Sequence, residues 1–431
     1  MSEGDALAMQ PTRASREHVV VFVVLLVGYA SFYLCRANVD AALPLLHDAF
    51  NYDNAKLGTL SSISIAVYAG GKFFMGALGD RIGGRRLMLC AMTGSIASSL
   101  FFGVSSGFWV LVLAASLNRL FQSGGWVSLV QVVGRWFPPG RHGAVMGALS
   151  TSYELGNVGA LLLCGYIVKR GFGWRALFVV NPLLFALVGI MVFFVLRGEP
   201  PPTKRELSDE EKKEEALPQM RFREAFPFLA KKWDFWSTVS LSVLLTFVRT
   251  GFLTWTPTYL TEIARASGGG AGSVSTSIAK SAIFPATGVV AALVVGRMTD
   301  RFGPGRRAPV LVVSLAFHVV AVLFLAHSGI KDTTTAMFAI GACGLFLLGP
   351  YSLMAGALAL DVAGKRAAST AAGIIDGAGY LGATFVGVVL GRVSQRWGWP
   401  AAFDVVAFAG FTAMLVGIGS AWTVMHKAPR K

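Results

Sequence analysis

Charge is what this sequence has least of. Charged side chains make up 14% of its 431 residues, against 54% hydrophobic. That balance excludes an ordinary soluble domain, which cannot hide so much apolar surface; a bundle of helices can show it to lipid. Acidic residues are scarcer than basic ones, 23 against 38, for a formal net charge of +15. Such an excess invites a nucleic-acid reading, but its distribution argues against one, because the bases sit in short loops on one side of the apolar runs. Cysteine is rare as well. Cys35, Cys90, Cys164 and Cys343 all fall inside apolar runs and none has metal-ligand spacing, so they read as small packing residues. The six histidines are scattered, with no Ser-His-Asp arrangement. No metal, cofactor or enzymatic activity is expected.

Long apolar runs are what is there. Twelve windows of at least 18 residues are each long enough to cross a hydrocarbon layer of ~30 Å. They lie at 18–46, 56–79, 87–105, 108–136, 142–168 and 174–196, then at 235–262, 276–299, 308–327, 333–360, 367–391 and 400–425. The expected fold is an all-α integral membrane protein of twelve transmembrane helices in two six-helix bundles, 18–196 and 235–425. A polar tail, 1–17, precedes the first; it has no short apolar core with a cleavage site and does not read as a signal peptide. A linker, 197–234, joins the bundles, and a tail, 426–431, follows them. The linker mixes both charges, as a solvated segment does, and Ser208 suits the cap of a short surface helix there. Basic residues gather in the linker and at Arg81, Arg85, Arg86, Arg135, Arg141, Arg301, Arg306, Arg307, Lys365 and Arg366. The positive-inside rule then puts both termini in the cytoplasm.

The two halves repeat. Arg36 precedes Pro44 by eight residues in the first apolar run of its half, and Arg249 precedes Pro257 by eight in the other. Gly76-Ala-Leu-Gly-Asp80-Arg81-Ile-Gly83-Gly-Arg85-Arg86 is answered by Gly296-Arg-Met-Thr-Asp300-Arg301-Phe-Gly303-Pro-Gly-Arg306-Arg307. Lys169-Arg-Gly-Phe-Gly-Trp174 is answered by Gln395-Arg-Trp-Gly-Trp399. Three landmarks in one order suggest six spans twice, about an axis along the membrane normal, as in rocking secondary transporters. An arginine near the bilayer centre costs at least ~3 kcal/mol and normally faces a cavity or a charged partner. Two at matching places point to one anion site on the internal axis. Guanidinium suits phosphate, being always charged and able to bond it with two parallel hydrogen bonds. Tyr29, Tyr33 and Arg36 share one helical stripe, so the phenols either join the site or pack between helices. Lys72 either adds a third positive charge or pairs with an acidic side chain.

The loop from Gly76 to Arg86 resembles the signature of the major facilitator superfamily, and its second copy strengthens the match. The resemblance implies a gating duty for Asp80, Arg81, Arg85 and Asp300, with Asp80 pairing across to the neighbouring bundle. Within the superfamily, the chain resembles the organophosphate:phosphate antiporters from about Val23 to Ala421, the linker excepted. The residues that carry this are Gly28-Tyr29-Ala-Ser-Phe-Tyr33-Leu-Cys-Arg36, Tyr68-Ala-Gly-Gly-Lys72, Phe121-Gln-Ser-Gly-Gly-Trp126, Arg249-Thr-Gly-Phe-Leu-Thr-Trp255, Gly349-Pro350 and Gly379-Tyr380-Leu-Gly382. It implies that Arg36 and Arg249 clasp a phosphoryl group, with Lys72, Trp126 and Tyr380 beside it. Three positions depart from the family. Ala37 stands where a lysine is common, Thr246 where a tyrosine is, and Gly156 where the glycerol-phosphate exchangers have a histidine. The organic portion of the substrate is thereby left open.

Arg119, Glu154 and Asp376 are ionisable, lie within spans and have no part in such a clasp. The carboxylates either carry a proton or pair with Arg119 or Lys72. The reading that accounts for most of the chain is exchange of an organic phosphate for inorganic phosphate by alternating access. It implies a monomer in the cell (inner) membrane whose partners are small anions and lipid, not nucleic acid. Two rivals remain: a proton-coupled transporter of another organic anion or drug, and a non-transporting sensor of sugar phosphate.

Overall fold

A computed structural model describes residues 13–137, 142–197, 220, 222–270, 272–302, 307–354, 358–364 and 367–427. These residues are helical nearly throughout, and no strand occurs among them. The first half comprises α1 (Arg13–Ser31), α2 (Ala37–Phe50), α3 (Asn54–Ile82), α4 (Gly84–Val104), α5 (Phe108–Trp136), α6 (His142–Lys169) and α7 (Trp174–Val195). The second comprises α8 (Phe222–Ala230), α9 (Trp233–Ala266), α10 (Gly272–Lys280), α11 (Ile283–Phe302), α12 (Ala308–His327), α13 (Thr333–Ser352), α14 (Ala359–Ala363), α15 (Ala368–Ala383) and α16 (Val386–Lys427).

Among the described residues, eight helical stretches are both long and apolar enough to span a membrane. The last, Thr370–Ser420, has 51 residues, or about 76 Å at 1.5 Å per residue, too long for a single crossing. It turns back at Gly398, whose φ of 81° is open to glycine and strained for other residues. Pro400 then opens the returning helix. Helices α3, α5 and α6 are equally long, 29, 29 and 28 residues, but fall outside that set. They hold Lys72, Asp80, Arg119 and Glu154 among glycines and serines, which lowers their mean hydropathy, while each still exposes large apolar side chains such as Phe73, Trp109 and Leu162. With these three, the twelve expected crossings are in place.

Several crossings are broken where the sequence suggested continuous helices. The first is interrupted by a single 3₁₀ turn, Phe32–Cys35, after which Arg36 opens α2. The eighth breaks at Ser281–Ala282, between α10 and α11, and the eleventh at Thr384–Phe385, between α15 and α16. Backbone irregularity at membrane depth is tolerated where protein or a cavity, not lipid, surrounds it. The proposed helix at Ser208 lies outside the described residues. A different short helix, α8, buries Ala225 and Leu229 and packs on α15. Lys232 Nζ donates to Val362 O at 2.8 Å, fastening the end of the linker to the second half.

The halves meet as a twofold repeat requires. α2 packs on α9, α3 on α15 and α16, and α6 on α10 and α11. The second and fifth crossings of one half thus face the fifth and second of the other. At one end they are tied by polar contacts. Arg265 Nη2 lies 2.5 Å from Asp48 Oδ2, and Asn54 Nδ2 donates to Glu262 Oε1 at 3.1 Å. Val388 N donates to Ser62 Oγ at 2.9 Å, and within the second half Trp399 Nε1 donates to Glu262 Oε2 at 2.6 Å, holding that carboxylate in place. Gly58 and Gly387 lie backbone to backbone there, and a Cβ on either would overlap the other's carbonyl. A polar cavity of about 310 Å³, lined by His47, Asn54, Thr258, Glu262 and Arg265 among others, lies at this end. At the other end, the Arg85 and Arg307 contacts stay within a half: Arg85 donates to Leu196 O and Phe193 O, and Arg307 pairs with Asp361.

The glycine contact gives a test of how the halves are joined. Gly387→Val forces bulk between α3 and α16, an overpacking of about 1–3 kcal/mol in a close-packed contact. The closed end should open more often. In a Thr258→Cys background, reaction with a water-soluble maleimide should then rise on the order of tenfold, since ~1.4 kcal/mol is a factor of ten. An unchanged rate would mean that this contact does not hold the end shut.

Candidate functional site: a cluster of four cations

Arg36 sits at the break in the first crossing, where Arg36 N donates to Tyr33 O at 3.1 Å. Its side chain is 8% exposed, so it does not reach a headgroup. Nε donates to Gln122 Oε1 at 2.7 Å and Nη1 to Tyr33 Oη at 3.4 Å. The guanidinium lies 4.9 Å from the Tyr33 ring centre and 4.7 Å from that of Tyr68, close enough for cation–π attraction. Gln122 is oriented from behind: its Nε2 donates to Cys35 O and to Asn118 Oδ1, each at 2.7 Å. One amide thus satisfies a carbonyl at the helix break and holds the arginine.

Arg249 lies within the continuous helix α9 and is 4% exposed. Its Nη2 donates to Glu154 Oε1 at 3.1 Å. Tyr153 and Tyr351 flank the guanidinium at 5.3 and 4.9 Å. Two atoms of the pair have no partner: Arg249 Nε and Glu154 Oε2. Glu154 therefore meets neither of the bases expected for it.

Lys72 pairs with Asp376 across the midline, in line with one of its two expected roles. Its ammonium lies 4.1 Å from the Tyr380 ring centre and 5.2 Å from that of Tyr68. The Tyr68 and Tyr380 rings, one from each half, are 4.7 Å apart. Arg119 lies 3.9 Å from Asp40 within the first half. Among the described residues, three of these four cations thus have a carboxylate partner, and Arg36 has none.

Arg36, Arg249 and Lys72 share tyrosine neighbours. Tyr33 and Tyr380 lie in the field of both arginines, and Tyr68 touches Arg36 and Lys72. Five of the nine tyrosines, Tyr33, Tyr68, Tyr153, Tyr351 and Tyr380, surround these cations, offering ring faces and hydroxyl groups. Besides Arg265–Asp48 at the tied end, two ion pairs at this site, Glu154–Arg249 and Lys72–Asp376, cross from one half to the other. A charged ligand here would compete with the bonds that join the halves.

Other expected positions fall elsewhere. Tyr29 is buried in the field of Arg36, Tyr68 and Tyr380, and it packs edge-on against Trp126 at 5.1 Å, so Trp126 backs Tyr29. Gly156 abuts the backbone of Ala30, where a Cβ would overlap the carbonyl oxygen, leaving no room for a histidine. Thr246 packs against Gly379, and a tyrosine there would collide with α15. Asp80 accepts from Gln131 Nε2 at 3.1 Å, within its own half. Gly83, with φ of 81°, ends α3 within this motif. Arg85 anchors the start of α4 to the end of α7, and Arg81 is exposed. The Asp300 side chain lies outside the described residues. The sequence alone assigns no site role to Asp40, Tyr68, Tyr153 or Tyr351, although Tyr68 lies in a stretch that carries the resemblance and Asp40 stands four residues after Arg36.

A family model described as Major Facilitator Superfamily matches residues 25–387 and 272–431. A probable hexose phosphate transport protein of Chlamydia pneumoniae is 27% identical over 95% of this chain and 92% of its own. The glycerol-3-phosphate transporter of Bacillus subtilis is 26% identical over 96% of this chain and 94% of its own. Among solved structures, a bacterial homolog of the human lysosomal transporter Spinster superposes with a TM-score of 0.79 at 15% identity. That likeness covers 96% of this chain and 99% of the other and concerns the fold.

Proposed function

The chain belongs to the major facilitator superfamily, and from that premise we propose that it exchanges an organic phosphate, of the sugar-phosphate or glycerol-3-phosphate class, for inorganic phosphate. The observation that carries the reading is the buried Arg36, held by Gln122 and two tyrosines, with no carboxylate partner among the described residues, and sharing Tyr33 and Tyr380 with Arg249. A phosphoryl group supplies the missing negative charge, and its oxygens match the guanidinium fork. The named specificities of the relatives from Chlamydia and Bacillus support a phosphate ester as the second substrate. The tyrosine hydroxyls and Gln122 are suited to its sugar or glycerol hydroxyls.

Transport proceeds by rocking of 18–196 against 235–425 about this site. The multi-pass protein is placed in the cell membrane as a monomer, both termini cytoplasmic, so that the tied end of the halves faces outward and the Asp80 loop inward. Asp80, Arg81, Arg85 and Asp300 act in gating that inner face. In proteoliposomes loaded with unlabelled phosphate, external labelled phosphate should accumulate by counterflow. External glucose 6-phosphate or glycerol 3-phosphate should suppress it, and a carboxylate such as gluconate should not. Phosphate-independent uptake of a non-phosphorylated anion would overturn the reading.

A further inference from the structure

The electrostatics of the site point beyond simple anion exchange. Four cations, Arg36, Lys72, Arg119 and Arg249, face three carboxylates, Asp40, Glu154 and Asp376. The empty site therefore carries one net positive charge. A phosphate ester above about pH 7 is close to a dianion. Binding it would leave one uncompensated negative charge out of water, which is strongly unfavourable.

We infer that Glu154 is a proton site that alternates with substrate at Arg249: it holds the arginine while the site is empty and takes up one proton when a phosphate dianion takes its place. This rests on the reading of Arg36 and Arg249 as the phosphate site. The proton comes from the protonated buffer or hydronium of the bathing solution, whose H–N or H–O bond breaks as an O–H bond forms on the Glu154 carboxylate. The hydrogen bond from Arg249 Nη2 is given over to phosphate.

Geometry supports the exchange. A committed arginine–carboxylate pair is commonly two-pronged. Here a single bond, Nη2 to Oε1, joins the pair, while Arg249 Nε and Glu154 Oε2 are buried and unpartnered. One is a donor left for an anion oxygen, the other an acceptor left for a proton. Glu154 is 2% exposed, and water cannot stand in for the arginine once phosphate has taken it. The groups that face the pair are Tyr153 on α6, Tyr351 on α13, Tyr33 on the 3₁₀ turn and Tyr380 on α15, with Asp376 beyond them. Neither other carboxylate fits the duty: Asp376 is 28% exposed and holds Lys72, and Asp40 holds Arg119, so neither releases a clasp arginine.

The test is the number of protons taken up per inorganic phosphate bound. It is measured calorimetrically on the purified full chain at about pH 8, in two buffers of different ionisation enthalpy. Wild type should take up close to one proton per phosphate, and Glu154→Gln close to none. Between about pH 7.5 and 8.5, wild-type affinity should fall roughly tenfold, the slope of a single linked proton, and that of Glu154→Gln by less than about threefold. Phosphate binding by wild type without proton uptake overturns the inference and leaves the anion site standing. Equal uptake in the two proteins overturns it as well, by putting the proton elsewhere. Absence of phosphate binding at every pH overturns the anion site itself. The wild-type proton count decides even if Glu154→Gln fails to fold.

Discussion

Arg36→Lys is expected to reduce phosphate counterflow about a hundredfold or more, with the protein still inserted and folded. Lysine keeps the positive charge but cannot hold Gln122 Oε1 with one N–H while offering a planar fork to phosphate. Two charge-assisted hydrogen bonds at ~1.5–3 kcal/mol each are at stake, and the ring contacts with Tyr33 and Tyr68 weaken as well. Arg249→Lys should be similarly damaging. Because Glu154 remains as a salt partner for the shorter ammonium, the variant should also favour the empty state. Counterflow within about threefold of wild type, at equal protein content, would contradict a role for either side chain in holding phosphate.

Lys72→Met should weaken phosphate affinity by roughly 30-fold, for an indirect reason. The substitution strips Asp376 of its partner and leaves a bare carboxylate on the lining of an anion site. A like charge about 8 Å away costs on the order of 2 kcal/mol at an effective dielectric constant of 20. Lys72→Met combined with Asp376→Asn removes both charges and should recover affinity to within about threefold of wild type. Such recovery is the mark of a coupled pair. If Lys72 bonded the phosphate itself, the double variant would bind as poorly as Lys72→Met alone. The comparison thus separates the two roles the sequence left open for this lysine.

What was legible in the sequence was local. The eight-residue step from arginine to proline, the paired glycine–aspartate–arginine loops and the paired Gly-Trp turns all sit on single stretches of chain. They fixed the number of crossings, the repeat and the positions of Arg36 and Arg249. Partner choice was not legible. Glu154 is 95 residues from Arg249, and Lys72 is 304 from Asp376. Which carboxylate meets which base depends on how two helices are rotated toward each other, and apolar windows carry no such phase. Helices α3, α5 and α6, hydrophobic on most sides, offer little amphipathic contrast from which to read a face. Tyr68, Tyr153 and Tyr351 were missed for the same reason. The break at Phe32–Cys35 contains neither glycine nor proline, so nothing in its residues announced it. The departures at Gly156 and Thr246 had a legible identity but an illegible cause, which is close packing against Ala30 and Gly379.

That packing bears on selectivity. Where the resemblance places a histidine and a tyrosine near the substrate, this chain has no room for either. The tyrosines it has gathered around Arg36, Arg249 and Lys72 supply the polar lining instead. The substrate's organic portion meets phenol hydroxyls and ring faces, which suit a polyhydroxylated body better than a second charged group.

The central claim is that Arg36 and Arg249 hold one and the same anion. Calorimetric titration of inorganic phosphate into wild type, Arg36→Lys and Arg249→Lys at about pH 6 tests it most directly. The account predicts one phosphate per chain in wild type, bound at least tenfold more weakly after either substitution. A site of undiminished affinity surviving in either variant would contradict it.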